Sequence, residues 1–89
     1  MAKPKKTTLE KIFDHPPNKN LKWREIVTLI EQFNGSVTSR GGSKKVLRLP
    51  DSGPYFTDAP HGSNPVDAGA IVGIKKWLKA NGIAPEGDN

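Results

Sequence analysis

The chain has 89 residues, with 14 lysines and arginines against nine aspartates and glutamates, and a formal net charge of +5. It has no cysteine, which excludes disulfides and thiolate metal sites, and its two histidines cannot form a zinc site alone. A domain this small buries only about 60% of the surface of its unfolded chain, so it has room for one compact core and one site.

The charge balance and the apolar pattern narrow the class of partner. A net positive charge favours a polyanionic partner such as nucleic acid. No apolar run approaches the roughly 20 residues of a membrane span, and the basic N-terminus is not followed by a signal-peptide core. We therefore expect a cytoplasmic protein with no membrane contact, no bound metal and no cofactor.

Two helices are predicted before any strand. Thr7 and Glu10 have the spacing of a capping box, which predicts a short N-terminal helix that the proline pair soon after must stop. Apolar residues then recur at helical spacing over residues 23–33. Asn34 and Gly35 supply the stop of this longer helix.

Three β-like stretches follow, at about residues 36–40, 44–49 and 54–57. A Gly-Gly pair and a Pro-Asp-Ser-Gly turn separate them, and both are plausible hairpin turns, so we expect an antiparallel meander. Along the second strand two leucines share one face, while Lys44 and Arg48 share the other. One side of the sheet is therefore suited to a core and the other to water or RNA.

A loop and a last helix complete the chain. The loop covers residues 59–65 and contains His61. The helix begins at Asp67, and Gly82 together with the following isoleucine forms its C-terminal cap. Gly69, Ala70 and Gly73, within this helix, lower helix propensity by roughly 1 kcal/mol per glycine unless they permit close approach to a neighbour.

The order of these elements predicts an α+β fold of the double-stranded-RNA-binding type, α-β-β-β-α. In such a fold a three-stranded antiparallel sheet is covered on one face by two helices, and here we expect an extra short N-terminal helix. We predict one domain at residues 7–84, with disordered tails at residues 1–6 and 85–89. A fold alone does not give a function.

The turn between the first two strands is the main candidate site. Residues 32–50 contain four basic residues and no acidic one, and the turn can aim N–H groups and a hydroxyl at an anion. The alternative is a hairpin whose lysines only protect a sheet edge. The candidate nucleic-acid-binding residues are Arg40, Gly42, Ser43, Lys44, Lys45, Arg48 and Tyr55. Tyr55 belongs to this set as a base-stacking platform if it faces the open side of the sheet, and core burial is its alternative.

Several motifs along the chain, taken in order, carry a family resemblance. They are Trp23-Arg24-Glu25-Ile26, Gly42-Ser43, Pro60-His61-Gly62, and the end Ile74-Lys75-Lys76-Trp77-Leu78-Lys79-Ala80-Asn81-Gly82-Ile83. Over about residues 8–84 the chain resembles the HicA-like toxins of bacterial type II toxin–antitoxin modules, in a subgroup with a longer N-terminal leader. The resemblance implies a double-stranded-RNA-binding-like fold, messenger-RNA interferase activity and an antitoxin partner of the HicB type.

One departure from the family limits what the resemblance implies for catalysis. In better-known members a histidine that follows the Gly-Ser pair is the presumed catalytic residue, whereas Lys44 stands there in this chain. An imidazole exchanges protons near neutral pH and an alkyl ammonium does not, so Lys44 is a poor base and a good phosphate clamp. His61 is the remaining candidate acid or base, with Asp58 as a conceivable partner, and a packing role in its loop is the alternative.

Two functions remain open at this point. The first is a toxin-like RNA-binding protein, which would be a metal-independent endoribonuclease if His61 provides acid–base catalysis. The second is a catalytically inactive protein-interaction module that keeps the fold and pairs with an antitoxin-like partner. A DNA-binding module is disfavoured, because no basic recognition helix follows a short turn.

Overall fold

Three helices and three strands make up the part of the chain that the computed structural model describes, residues 7–14, 16 and 18–85. In chain order they are α1 (Thr8–Ile12), α2 (Trp23–Gln32), β1 (Ser36–Ser39), β2 (Lys44–Arg48), β3 (Tyr55–Asp58) and α3 (Ala68–Ala80). The predicted α+β class is confirmed. The predicted tails fall on residues 1–6 and 85–89, of which only Pro85 belongs to the described residues.

The start of α1 and the end of α2 are both fixed by capping residues that the sequence predicts. Thr7 Oγ1 accepts the N–H of Glu10 at 3.2 Å, and Glu10 Oε1 accepts the N–H of Thr7 at 2.9 Å, so the predicted capping box is confirmed. After α2, Asn34 takes a positive φ of 64° and Gly35 donates its N–H to the Ile30 carbonyl at 2.9 Å. This αL cap satisfies a helix-end carbonyl and turns the chain into β1.

The last helix is capped at both ends, and its C-terminal cap is the predicted one. Asp67 Oδ2 accepts the N–H of Gly69 at 2.9 Å at the N-terminus. At the C-terminus Gly82 has a φ of 78°, and Ile83 donates its N–H to the Leu78 carbonyl at 2.9 Å. Ile83 also packs against the core that contains Leu78, which is the apolar contact expected of this cap.

The three strands form an antiparallel sheet in the order β1-β2-β3, as the sequence predicts for a meander. One row of paired residues consists of Val37, Leu47 and Tyr55, and the next consists of Thr38, Val46 and Phe56. Because successive side chains point to opposite faces, these two rows lie on opposite faces of the sheet. We call the first the covered face and the second the open face.

All three helices contribute to the covered face. α2 packs against β1, α3 packs against β3, and α1 contacts both of these helices. The fully buried residues at its centre include Leu47, Ile26 and Ile74. α1 adds Ile12 and Phe13 to the same core, so this short helix closes the helix layer instead of lying apart from it.

A charged contact joins α1 to α2. The Lys11 ammonium donates to Glu25 Oε1 at 2.8 Å, and Glu25 Oε2 accepts the N–H of Lys22 at 2.8 Å. These hydrogen bonds, with that from Lys11 the larger cause, lower the pKa of Glu25 because both stabilise its carboxylate form. The contact therefore stabilises the helix layer most when Glu25 is ionised.

Close approach between α3 and β3 explains the glycine at position 73. The Tyr55 ring stacks on Trp77 with 5.5 Å between ring centroids, and its hydroxyl lies against Gly73. A Cβ at Gly73 would overlap that hydroxyl. Of the three small residues noted in this helix, Gly73 is thus the one at which close approach offsets the loss of helix propensity.

Candidate nucleic-acid interface

The turn between β1 and β2 is closed by backbone hydrogen bonds and by two glycines. Arg40 donates its N–H to the Lys44 carbonyl at 2.8 Å, and Lys44 donates to the Gly41 carbonyl at 3.1 Å. Gly41 and Gly42 have φ values of 111° and 55°, which side chains with a Cβ rarely adopt. The pair therefore allows a tight reversal at the tip.

Two adjacent backbone N–H groups lie at the tip of the turn. Within the described residues, the N–H groups of Gly42 and Ser43 have no hydrogen-bond acceptor. The Gly42 carbonyl, in contrast, accepts a hydrogen bond of 3.3 Å from the Lys45 ammonium. The same ammonium donates to Ser39 Oγ at 3.2 Å. Lys45 thus braces the turn from inside, and two adjacent N–H groups are available to an anion.

Three basic side chains lie on the open face. Strand alternation places Lys44 and Arg48 there, and the Arg40 guanidinium lies over the exposed Phe56 ring at 5.3 Å from its centroid. Such an exposed cation–π contact contributes about 0.5–1 kcal/mol. Arg48 Nη1 also donates to Thr38 Oγ1 at 2.9 Å, which orients its guanidinium along the sheet.

One carboxylate accompanies these cations. Asp58 pairs with Lys44 across β2 and β3, yet neither side chain forms an ion pair or hydrogen bond within the described residues. A concave region of about 300 Å³ lies at this end of the sheet. Its lining consists of Arg40, Lys44, Lys45, Phe56, Thr57 and Asp58. The concavity therefore combines positive charge, one aromatic ring and one carboxylate.

The loop after β3 begins at the turn, as its meander topology predicts. Ala59 donates its N–H to the Ser43 carbonyl at 2.8 Å. The chain then leaves the sheet toward the start of α2, where the Lys22 ammonium contacts the Ser63 carbonyl at 2.9 Å. His61, between these points, is exposed and outside the lining of the concavity, and its ring forms no hydrogen bond within the described residues.

Base stacking by Tyr55 would require its ring to lie on the open face, but Phe56 occupies that face instead. Tyr55 lies on the covered face against Trp77, so the condition that it face the open side is not met. The aromatic ring on the open face is Phe56, which is 57% exposed and which the sequence interpretation did not single out. The strand register identifies Phe56. Tyr55 lies opposite the buried Leu47 and must face the core, so the next residue, Phe56, faces the open side.

Two structural features are absent from the described residues. They contain no cluster of three or more His, Cys, Asp or Glu side chains able to hold a metal ion. None of the helices found there has the length and apolar content needed to cross a membrane. Comparison of the chain with protein families, with curated proteins and with solved structures gives no match in any of the three.

Proposed function

We propose that this chain is a toxin-like RNA-binding protein of the HicA type, with a fold of the double-stranded-RNA-binding kind and a place in the cytoplasm. The order of helices and strands and the resemblance in the motifs around Gly42 and His61 support the proposal. The observation that carries it is the open face, where Arg40 and Lys44 lie beside two backbone N–H groups that have no acceptor within the described residues, and Arg48 follows further along β2.

The spacing of these groups suits a phosphate backbone. Residues four apart on a strand are separated by about 13 Å, so Lys44 and Arg48 can contact different phosphates. The N–H groups of Gly42 and Ser43 extend the same line of donors beyond the strand end. In this proposal Lys44, in place of the family's histidine, stabilises a phosphate by charge.

RNA affinity measured against salt concentration tests the binding proposal. If three cations each neutralise one phosphate of a single strand, the slope of log K against log salt is about −2, which corresponds to roughly a 20-fold loss of affinity over a fourfold rise in salt. Fluorescence anisotropy with a labelled RNA measures this directly. A flat response would contradict the proposal.

Cleavage is a separate part of the proposal. In it His61 acts as the acid or base, Lys44 stabilises the charge that develops on phosphorus, and messenger RNA is the substrate. The test is growth arrest on expression without an antitoxin, repeated with His61→Ala and Lys44→Ala. Arrest that is abolished by His61→Ala, with RNA affinity retained, supports catalysis by His61; intact RNA after incubation with the purified parent contradicts it.

The second candidate function is a catalytically inactive module that pairs with an antitoxin-like protein of the HicB type. The observation that favours it is the lining of the concavity, which holds Lys44 at the family's catalytic position while His61 lies outside it. A basic open face is complementary to an acidic partner. Copurification of a small acidic protein, with no RNA bound by either protein, would favour this function over the first.

A further inference from the structure

We propose that Phe56 is a stacking platform for one unpaired base of an RNA strand, with Arg40 and Lys44 on the flanking phosphates. This inference rests on the proposed RNA-binding function and adds which conformation of RNA the open face selects. Its basis is the combination, within one concavity, of an exposed ring, three cations and a carboxylate.

The exposure of Phe56 has no explanation in the packing of the domain. At 57% it is the most exposed large hydrophobic side chain in the described part of the chain, ahead of Phe33 at 39%. Phe56 pairs across the strands with Val46, which is 1% exposed although it lies outside the main core cluster. Strand pairing therefore holds Phe56 on a rigid sheet. One side of its ring lies beside Val46, and the remainder of the ring is exposed to solvent.

The cation on the ring is displaceable. Arg40 lies over Phe56 at 5.3 Å, and its guanidinium forms no hydrogen bond within the described residues. A base stacked on an aromatic ring is bound more strongly than a guanidinium at an exposed cation–π contact. A base can thus take the guanidinium's place, and the released Arg40 stays close enough to contact a phosphate of the same strand.

Asp58 offers a hydrogen-bond acceptor to a base beside the ring. A carboxylate beside the ring repels a phosphate but accepts hydrogen bonds from the N–H groups of a base edge. Lys44 and the N–H groups at the turn lie toward the strand end, where Asp58 is opposed by the Lys44 charge. A base over Phe56 therefore finds an acceptor in Asp58, and the Lys44 charge offsets part of the repulsion between this carboxylate and a phosphate.

A duplex cannot use this platform. In a paired A-form helix the bases are stacked on each other, and aromatic side chains on a sheet contact bases that are unpaired and splayed out. The open face should consequently bind single strands by charge and stacking together, and duplexes by charge alone. Phe56 then determines the preference between the two.

The test compares Phe56→Leu with a matched control, Phe33→Leu, which removes the other exposed phenylalanine at a site away from the open face. The ligands are an unstructured 12-nucleotide RNA and a fully paired RNA hairpin, each measured by fluorescence anisotropy. We expect Phe56→Leu to weaken single-strand binding roughly tenfold and to leave the salt slope and duplex binding unchanged. Phe33→Leu should change neither.

Two further measurements keep the result independent of folding. Phe56→Tyr retains a ring and should retain single-strand affinity, and the fluorescence of a 2-aminopurine base in the RNA should change on binding to the parent and much less on binding to Phe56→Leu. Steep salt dependence with unchanged affinity for Phe56→Leu would overturn the stacking inference and leave RNA binding in place. Absence of RNA binding by the parent would overturn both proposals.

Discussion

The two faces of the sheet use adjacent residues of β3 in opposite ways. On the covered face Tyr55 is stacked on Trp77 and lies against Gly73, in a layer built from buried aliphatic side chains. On the open face the next residue, Phe56, is exposed beneath a guanidinium. A single strand therefore supplies stability on one side and a contact surface on the other, so substitutions on the two faces should separate folding from binding.

The largest expected effect comes from the covered face. Leu47→Ala should lower the free energy of unfolding by about 3 kcal/mol, because Leu47 is fully buried among the helices and leaves a cavity. Val46 is the adjacent residue on the open face. Val46→Ala should lower the free energy of unfolding by about 1 kcal/mol, because the side chains that cover Val46 can collapse around a smaller residue. Urea denaturation measures both, and equal losses would contradict the distinction between the faces.

The contact between α3 and β3 gives the second prediction. Gly73→Ala should destabilise the chain by about 2 kcal/mol, since the added methyl group overlaps the Tyr55 hydroxyl, and the better helix propensity of alanine offsets only part of this. In a Tyr55→Phe background the hydroxyl is gone and the cost should fall by at least half. A double-mutant cycle by urea denaturation tests this coupling. Strictly additive effects would show that the hydroxyl does not limit the approach.

On the open face, charge should act on binding and not on stability. Lys44→Ala should reduce the magnitude of the salt slope for single-stranded RNA by about 0.7 and leave the unfolding free energy nearly unchanged. Lys79→Ala, an exposed lysine on α3, is the matched control and should leave the slope as it is. The same slope change for both variants would mean that RNA attraction is spread over the whole molecule.

The smallest effect concerns the ion pair within the helix layer. The folded-state pKa of Glu25 lies below its ordinary value of 4.5, so its stabilising contribution is present above that pH and is lost as pH falls through the folded pKa. Glu25→Gln should therefore cost up to about 1 kcal/mol at neutral pH and progressively less in acid. Thermal melts of parent and variant across the acid range measure the difference. A cost that is constant with pH would assign the effect to packing.

Local signals predict much of this architecture from sequence. The capping box at Thr7, the αL stops after α2 and α3, and the Gly-Gly turn all act over a few residues, so each can be identified without knowing the fold. The alternation of Leu47 with Lys44 and Arg48 similarly assigns the two faces of β2. The predicted strand ends differ from the observed ends by at most one residue. A strand ends where the neighbouring strand no longer offers a backbone hydrogen-bond partner, and the local sequence does not show that point.

Other features depend on contacts between distant residues. The orientation of β3 could not be predicted, because Tyr55 and Phe56 are both aromatic and only pairing with Leu47 decides which faces the helices. Burial of Val46 on the open face has no local signal either, since it depends on its cross-strand neighbours. The path of the loop at His61 is set by contacts of Ala59 and Ser63 with Ser43 and Lys22.

The charges on the open face also bear on the solubility of the chain. A sheet with one uncovered side and an exposed phenylalanine would ordinarily pair with a second sheet and start aggregation. Arg40 lies over Phe56, and Lys44 and Arg48 add to the positive charge of the same face, which exceeds the single negative charge of Asp58, so two copies brought face to face repel each other at short range. The cations thereby act as gatekeepers that keep concentrated protein dispersed when the face is empty.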